Sequence, residues 1–336
     1  MDLRKGRYTA VFPDGIKILG FGSVASRKEF EGPLGTEFDK IFHDPKAGKP
    51  TWEQAESKFQ QEALSIALSK TALNTEDIDY IFAGDLLNQC ISSSYGLKAF
   101  SIPYLGQYGA CSTMVQSLIM CAVTLTSKVA RYCAAVTSSH FCSAERQYRF
   151  PLEYGGQRTP TAQWTVTAAG GCVLGKNKGR YPFIHAATVG KITDMGVTDA
   201  NNMGAAMAPA AADTILSFLS DTGTRPADYD AIFTGDLGST GSEILYEIAG
   251  KKGINLKENH FDCGLLIYDR TTQDVHAGGS GCGCCASVLC SHILPSMLEG
   301  KLSRVLVVAT GALMSPTSCQ QGLSIPSIAH LIELRI

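Results

Sequence analysis

A ten-residue segment that occurs twice constrains this chain more than any other feature. DIDYIFAGDL starts at Asp77 and DYDAIFTGDL starts at Asp228, an offset of 228 − 77 = 151. A second matched pair, ARYCAAVT ending at Thr137 and SRVLVVAT ending at Thr310, has an offset of 310 − 137 = 173. Two matched pairs in the same order indicate a duplicated unit. In duplicated α/β folds ligands collect between the units, so the repeat also predicts where a site would form.

Helical and strand patterns alternate along both copies. The apolar spacing predicts helices over 52–69, 112–127, 205–219, 243–249 and 284–298, and strands over 78–83, 132–136, 164–174, 231–234 and 305–309. This alternation predicts an α/β architecture. We expect an N-terminal half at 1–182 and a C-terminal half at 183–336. The second copy carries 173 − 151 = 22 extra residues within 251–279, where we expect a loop or an extra hairpin.

Composition excludes several classes of protein. The chain has 336 residues, 45% of them hydrophobic, and a net charge of −2. The absence of a basic stripe argues against nucleic-acid binding. The start of the chain lacks a signal-peptide core, and the longest apolar stretch is broken by Lys128 and Arg131, too soon for a transmembrane helix. We therefore expect a soluble protein whose 12 cysteines are mostly buried free thiols.

Cys111, in the segment GACST, is the sharpest candidate for chemistry. It follows a strand-like segment and precedes an apolar helix. At a helix N-terminus the free N–H groups and the helix dipole are expected to favour the thiolate and to lower the thiol pKa. A nucleophile is one interpretation. A small side chain packed at a crowded helix start is the other.

Three further polar residues follow predicted strands. His140 closes TSSH after the strand that ends at Val136, where it would act as a base or a ligand-binding group, or lie in a surface loop. Asp85 and Asp236 end the two GDL strands. Each is a candidate ligand-binding residue or, more simply, a helix N-cap. Asn88 follows Asp85 in the same segment and is a candidate for ligand binding.

The stretch from Ser138 to Gln163 is polar and contains Arg146, Arg149 and Arg158 together with Tyr148. Arginine forks bind carboxylates and aromatic faces stack on planar rings, so this loop would suit a planar polycarboxylate. A solvated loop with scattered charges is the alternative.

Cysteines also cluster around Cys282, Cys284 and Cys285. Adjacent cysteines are poorly spaced for one zinc ion, so we predict no metal site and no cofactor.

The duplicated halves, GACST before a buried helix and the glycine-rich second-half helix resemble the thiolase superfamily. The segments that carry the resemblance over nearly the whole chain are EGPLG, AGDLLNQ, GACSTM, TSSHFCSAERQYRFPLEYGGQRTPTA, ATVGKITDMGVTD, MGAAMAPAAADT, DCGLLIYD, AGGSGCGC and VVATGALMSPT. Within the superfamily they are similar to a family from spore-forming bacteria. The resemblance implies a five-layered αβαβα thiolase-like fold with two halves related by a pseudo-twofold axis, usually paired as a homodimer.

The resemblance also implies a function. It points to binding of dipicolinic acid and to uptake of its calcium chelate into the developing spore. Its partners would be membrane proteins of the same stage V sporulation operon. The protein would be made in the forespore cytoplasm and lie peripherally on the spore inner membrane.

The superfamily's catalytic residues carry over only in part. Cys111 matches the nucleophile position, where it would be vestigial or weak. The second-half histidine or asparagine positions fall near Gly235 and at Cys282, and the second thiolase cysteine falls near Ala309 or Thr310. The resemblance therefore implies a binding protein rather than an active thiolase, with acyl transfer from an acyl-CoA thioester through Cys111 as the alternative. Cys282 is then a candidate ligand-binding residue, and His140 could substitute for the missing base.

Overall fold

The computed structural model describes residues 3–148 and 158–336. Its strands are β1 (Arg4–Lys5), β2 (Thr9–Ser26), β3 (Lys40–Phe42), β4 (Tyr80–Gly84), β5 (Tyr104–Gly106), β6 (Tyr132–Ser139), β7 (Trp164–Thr165), β8 (Ala168–Gly175), β9 (Phe183–Thr188), β10 (Ala231–Thr234), β11 (His260–Asp262), β12 (Gly279–Ser280), β13 (Arg304–Ala312) and β14 (Ser327–Arg335). Its α-helices are α1 (Arg27–Phe30), α2 (Trp52–Ser69), α3 (Ile91–Leu97), α4 (Thr113–Thr126), α5 (Phe141–Tyr148), α6 (Met203–Thr222), α7 (Gly238–Gly250), α8 (Cys263–Leu266), α9 (Cys282–Val288), α10 (Leu294–Leu298) and α11 (Pro316–Gln320).

Strand order shows the internal repeat directly. The main sheet runs β5-β4-β6-β8-β2 and then β9-β14-β13-β10-β11, with β2 and β9 paired antiparallel in the middle. If the five strands of each set are numbered 1 to 5 in chain order, both sets have the same spatial order, 1-5-4-2-3, counted outward from the middle pair. The parallel pair β4–β6 in one set corresponds to β10–β13 in the other. The boundary at 182 stays a prediction.

Helices cover both faces of each strand set and separate the two sets. α4 contacts β4 and β6 on one side and β13 and β14 on the other, so it lies in a central layer, and α9 joins it there. α2 covers the outer face of β2, β6 and β8, and α6, which packs against α7, covers the outer face of β13 and β14. These layers form the αβαβα thiolase-like fold that the sequence predicted.

Several boundaries differ from the predicted ones. The single strand expected over 164–174 is two strands, because the chain turns after Thr165 to pair β7 with β12 and then starts β8. The stretch 251–279, within which the extra residues of the second copy lie, contains no hairpin: it holds β11, which is parallel to β10, and the short helix α8. Part of the stretch expected to be a loop, from Phe141 to Tyr148, is helix α5.

α6 is the one helix in the described ranges that is long and apolar enough to cross a membrane. Its most apolar window is 67% buried, and it packs against β13, β14 and α7. Its apolar character is therefore explained by burial in the fold.

Candidate functional site

Cys111 lies in a tight bend between β5 and α4. The preceding residue, Ala110, has a positive φ of 50°, and the Sγ atom of Cys111 is 3.8 Å from the Oγ atom of Ser280 on β12. The end of β13 presses on this bend, since a Cβ atom at Gly311 would lie 2.2 Å from the carbonyl oxygen of Gly109. The two halves therefore meet at Cys111, with backbone packed against backbone.

Asp236 is the charged group beside Cys111. It follows β10, is fully buried, and accepts hydrogen bonds from Ser280 Oγ (2.9 Å), from the Gly281 N–H (2.9 Å) and from Thr310 Oγ1 (2.7 Å). The predicted alternative of a helix N-cap is wrong for Asp236. Asp262 accepts the N–H groups of Leu237 and Gly238 at the start of α7 instead.

The thiol of Cys111 is not activated as its place before a helix predicted. Burial, together with the nearby Asp236 carboxylate, raises the pKa of the Cys111 thiol well above its usual range. The expectation of a lowered pKa is therefore wrong, because water is excluded and the nearest charge is negative. Cys111 is a neutral thiol at physiological pH.

Two other predicted site residues, Cys282 and Tyr148, lie close to Cys111. Leu86, Cys111, Ala144 and Cys282 form one buried cluster, with Tyr148 packed against it. The Cys282 thiol donates to the carbonyl oxygen of Ser138 at 2.9 Å, and burial raises the pKa of this thiol. The Tyr148 hydroxyl bonds to the Leu86 carbonyl oxygen and to the Tyr108 hydroxyl.

The cavity at Cys111 has a volume of only about 40 Å³. Its described lining residues are Leu86, Ala110, Cys111, Ala144, Glu145, Tyr148, Thr165, Met203, Ser280, Ala312 and Met314, with no histidine, lysine or arginine among them. A space of this size holds about one water molecule. Among the described residues the nucleophile position thus has neither a histidine base nor room for an acyl chain.

His140 is not part of this site, so its assignment as a catalytic residue is wrong. Its ring is buried between Trp52 and Phe59. Nε2 lies 2.9 Å from the Pro45 carbonyl oxygen and Nδ1 accepts the Cys142 N–H at 3.2 Å. Burial lowers the pKa of His140, so the ring is neutral. Nε2 thus holds the loop at Pro45 in place and Nδ1 holds the first turn of α5.

A larger cavity, which we call the α5 cavity, lies on the other side of α5. Its volume is about 490 Å³, and it is lined by Thr51, Glu53, Gln54, Ser57, Leu87, Asn88, Gln89, Ile91, Tyr95, Ser143, Arg146 and Gln147. Two predicted ligand-binding residues, Asn88 and Arg146, are in its wall. Arg146 pairs with Glu53, and the Asn88 N–H donates to Gln147 Oε1 at 2.9 Å. Amides and hydroxyls supply most of the remaining polar surface.

Asp85 does not line the α5 cavity, so its assignment to ligand binding is not supported by its position. Its carboxylate is fully buried and accepts the N–H groups of Leu87 and Ser93 and the Ser93 hydroxyl at 2.6–2.9 Å. It holds the loop before α3 through Leu87 and the first turn of α3 through Ser93, although the residue in the N-cap position of that helix is Cys90.

A second buried acid, Glu56, lies close to Asp85 beneath the same cavity. It accepts hydrogen bonds from Ser138 (2.9 Å) and Ser143 (2.8 Å). Burial and the charge of Asp85 raise the pKa of Glu56 to about 8, and burial also raises the pKa of Asp85. Gln60 links the two through Ser93 and Ser138.

The three predicted arginines do not form one described cluster. Arg158 lies over the ring of Trp164, at 4.8 Å, and donates to the Asp274 carbonyl oxygen. These contacts differ from the described contacts of Arg146. Arg149 lies outside the described residues. Of the two described arginines, Arg146 lines the α5 cavity and Arg158 does not.

Sequence reasoning missed Ser280, Glu56 and the methionines Met203 and Met314. A signal existed for Ser280, since it lies in the segment AGGSGCGC, which is one of those that carry the resemblance to the superfamily. No group of three metal-ligating side chains occurs in the described part of the chain.

Comparison with known proteins shows the family of this chain. The family model for stage V sporulation protein AD matches residues 6–335. Stage V sporulation protein AD of Bacillus subtilis (strain 168) is 46% identical over 325 residues, covering 97% of this chain and 96% of that protein.

Among solved structures, 3-oxoacyl-(acyl carrier protein) synthase III from Aquifex aeolicus VF5 is similar, with a TM-score of 0.59, 16% identity and coverage of 96% of this chain and 100% of that chain. Cerulenin-bound OleA of Xanthomonas campestris is also similar, with a TM-score of 0.60, 13% identity and coverage of 96% and 97%. At these identities the likeness shows the fold alone. The match over nearly the whole length, at 46% identity, shows the family: this chain belongs to the stage V sporulation protein AD family and has a thiolase-like α/β fold.

Proposed function

We propose that this sporulation protein binds dipicolinic acid and takes part in uptake of calcium dipicolinate into the developing spore. The observation that carries the proposal is a contrast between two neighbouring spaces. The cavity at the nucleophile position is about 40 Å³ and has no histidine among its described lining residues, whereas the α5 cavity is about 490 Å³ and has an arginine and several side-chain amides in its wall. The larger volume is within the range of small-molecule sites.

The α5 cavity offers groups that suit a planar dicarboxylate. The Arg146 guanidinium is a fork for one carboxylate. The side-chain amides of Gln54, Asn88 and Gln89 are further donors, and the largely exposed ring of Tyr95 is a stacking surface. Glu53, which pairs with Arg146, would face the calcium ion of the chelate.

Isothermal titration tests this proposal directly. Dipicolinate with and without calcium is expected to give saturable heat with the native protein, and benzene-1,3-dicarboxylate, which lacks the ring nitrogen, a weaker signal. Arg146→Gln is expected to weaken binding about tenfold or more, the usual worth of a charged hydrogen bond. Arg27→Gln is the control, since Arg27 is an exposed arginine paired only with Glu31 among the described residues. Absence of heat with the native protein would rule the proposal out.

Acyl transfer through Cys111 is the second candidate, favoured by the retained cysteine with the Ser280 hydroxyl beside it. It predicts an acyl adduct on Cys111 after incubation with acyl-CoA thioesters. Mass spectrometry that finds no adduct for short or long chains would exclude it. The neutral, enclosed thiol makes the binding function the better supported of the two.

A homodimer is proposed through an uncharged face formed by α3, β5 and α4. β5 is an edge strand with all three residues exposed, and no charged residue occurs in 99–127. Exposed apolar side chains line this face, namely Ile91, Tyr95, Tyr104, Leu105, Tyr108, Met120 and Val123. Unprotected edges pair with other strands, and pairing β5 with β5 of a second copy would cover this one.

Membrane proteins of the same stage V sporulation operon are the proposed partners, at the spore inner membrane. Family membership supports this proposal. A fluorescent fusion is expected to follow the inner-membrane fraction of spores and to leave it when the operon's membrane components are deleted. A distribution that does not change would contradict it.

A further inference from the structure

A further cavity, which we call the basic cavity, opens at the ends of the strands that point away from Cys111. Its volume is about 350 Å³. β13 begins there at Arg304 and antiparallel β14 ends there at Arg335, and these two residues are partners in the strand register. Asp236 and Thr310, which mark the Cys111 site, lie at the other ends of β10 and β13. The basic cavity is thus separate from both spaces described above.

The wall of the basic cavity carries an excess of positive charge. Arg4, Lys5, Arg304 and Arg335 line it, and Glu333 is the one acid among the described lining residues. Glu333 is buried, and its Oε1 atom accepts from Arg304 Nε at 2.6 Å and from Arg335 Nε at 2.7 Å. One carboxylate is therefore shared between two guanidinium groups.

The guanidinium groups are held in place by protein contacts. Arg304 stacks 4.5 Å from the centre of the Tyr229 ring and donates to the Tyr229 hydroxyl at 3.3 Å. Arg335 uses Nε for Glu333, while its two Nη groups have no hydrogen-bond acceptor among the described residues. Its side chain is 35% exposed. A fork fixed at one nitrogen with two free donors is suited to bidentate recognition of an oxyanion.

His185 adds a polar group without adding charge. Its ring lies in the same wall, and burial together with Arg335 and Arg304 lowers its pKa. Like charges gathered around a partly enclosed space repel each other and create a local positive potential. An anion bound between the arginines would remove that repulsion.

We propose that the basic cavity binds a phosphate group. Several cations converge on one small space, which matches a group with more than one negative charge and oxygen atoms on several sides better than it matches a single carboxylate. The volume is at the lower end of the range for small-molecule sites, enough for a phosphate or pyrophosphate group and not for a large organic ligand. The phosphate belongs either to a soluble small molecule or to a lipid headgroup.

Titration calorimetry with sodium pyrophosphate at low ionic strength tests the proposal, since salt screens such contacts. We expect saturable binding at one site per chain, weakened at least about tenfold in Arg335→Gln, the usual cost of losing a charged hydrogen bond. Arg335→Gln leaves the Arg304–Glu333 pair intact, so the fold is expected to survive, as circular dichroism would verify. Arg27→Gln and Arg146→Gln are the controls and are expected to bind pyrophosphate normally.

Sedimentation with vesicles of phosphatidylcholine and phosphatidylglycerol in equal parts separates the two sources of phosphate. If the source is a lipid, the native protein sediments with the vesicles, Arg335→Gln sediments less, and pyrophosphate competes. If the source is soluble, pyrophosphate binds and the vesicles do not. No pyrophosphate heat, or equal heat from native protein and Arg335→Gln, would overturn the proposal. Dipicolinate binding by Arg335→Gln is expected to be unchanged, so the proposals for the basic cavity and for the α5 cavity are tested separately.

Discussion

The buried acid pair beneath the α5 cavity makes the stability of the fold depend on pH. Glu56 and Asp85 are both buried, and the hydrogen bonds to them come from serines and backbone N–H groups rather than from a cation. Burial and the neighbouring charge raise the pKa of Glu56 from the ordinary 4.5 to about 8. The native state therefore holds a proton that the unfolded chain releases at lower pH, and folding is favoured by acid.

The sign and the size follow from the two pKa values. The stability that the protonated Glu56 contributes is fully present below about pH 4.5 and is lost as the pH rises through about 8. The interval, 8 − 4.5 = 3.5 pH units, corresponds to at most roughly 5 kcal/mol at 1.36 kcal/mol per unit. Glu56→Gln keeps the volume and removes the ionisation, at a cost of about 1 kcal/mol for altered hydrogen bonds with Ser138 and Ser143.

Urea unfolding from about pH 5 to about pH 9 measures the effect as a free energy of unfolding. Glu56→Gln is expected to be slightly less stable than the native protein at the acidic end, more stable at the alkaline end, and flatter between them. Glu62→Gln, on the same helix, is the control with the opposite sign. Hydrogen bonds from Lys40 and Lys58 outweigh burial and lower the pKa of Glu62, so Glu62 stabilises at neutral pH and its contribution is lost on acidification. Parallel profiles for Glu56→Gln and the native protein would refute the reasoning.

Three further outcomes are expected. Gly311→Ala places a Cβ atom 2.2 Å from a backbone carbonyl oxygen and is expected to lower the free energy of unfolding by about 1–3 kcal/mol in thermal unfolding. Gly250→Ala is the control, since Gly250 has open space around it and the change is expected to have little effect. Equal melting temperatures for the two variants would contradict the close approach at Gly311. Iodoacetamide is expected to alkylate exposed Cys319 much faster than Cys111 at mildly alkaline pH, and a faster Cys111 would show an activated thiol. Leu105→Lys is expected to convert a dimer into monomers in analytical ultracentrifugation, and a persistent dimer would place the interface elsewhere.

The alternation of strands and helices was sufficient to predict an α/β architecture, whereas the thiolase-like fold was implied by the resemblance to the superfamily. The bounds of α2 and β10 were predicted to the residue, since caps and short apolar runs mark them clearly. β2, an 18-residue strand at the centre of the sheet, was not predicted. Its pairing with β8 and β9 is long-range, and no local signal in TAVFPDGIKILGFGSVAS specifies it.

The candidate site was predicted only in part. Cys111 and Cys282, two positions to which the resemblance carries over catalytic residues of the superfamily, lie in one buried cluster, whereas the packing of Tyr148 against that cluster was not predicted. His140 could not be judged from sequence, since its ring faces Pro45 and Trp52, which are distant in the chain. The thiol pKa of Cys111 was predicted with the wrong sign because burial and Asp236, both tertiary features, outweigh the helix terminus.

The position of α4 between the two sets of strands has a consequence for synthesis. This helix is complete at Thr126, whereas the strands that cover one of its sides begin only at Arg304. While the ribosome makes the intervening chain, the leucine, isoleucine and valine side chains of α4 have no partner on that side. A nascent chain that stalls before β13 is therefore expected to aggregate rather than to form a smaller folded protein.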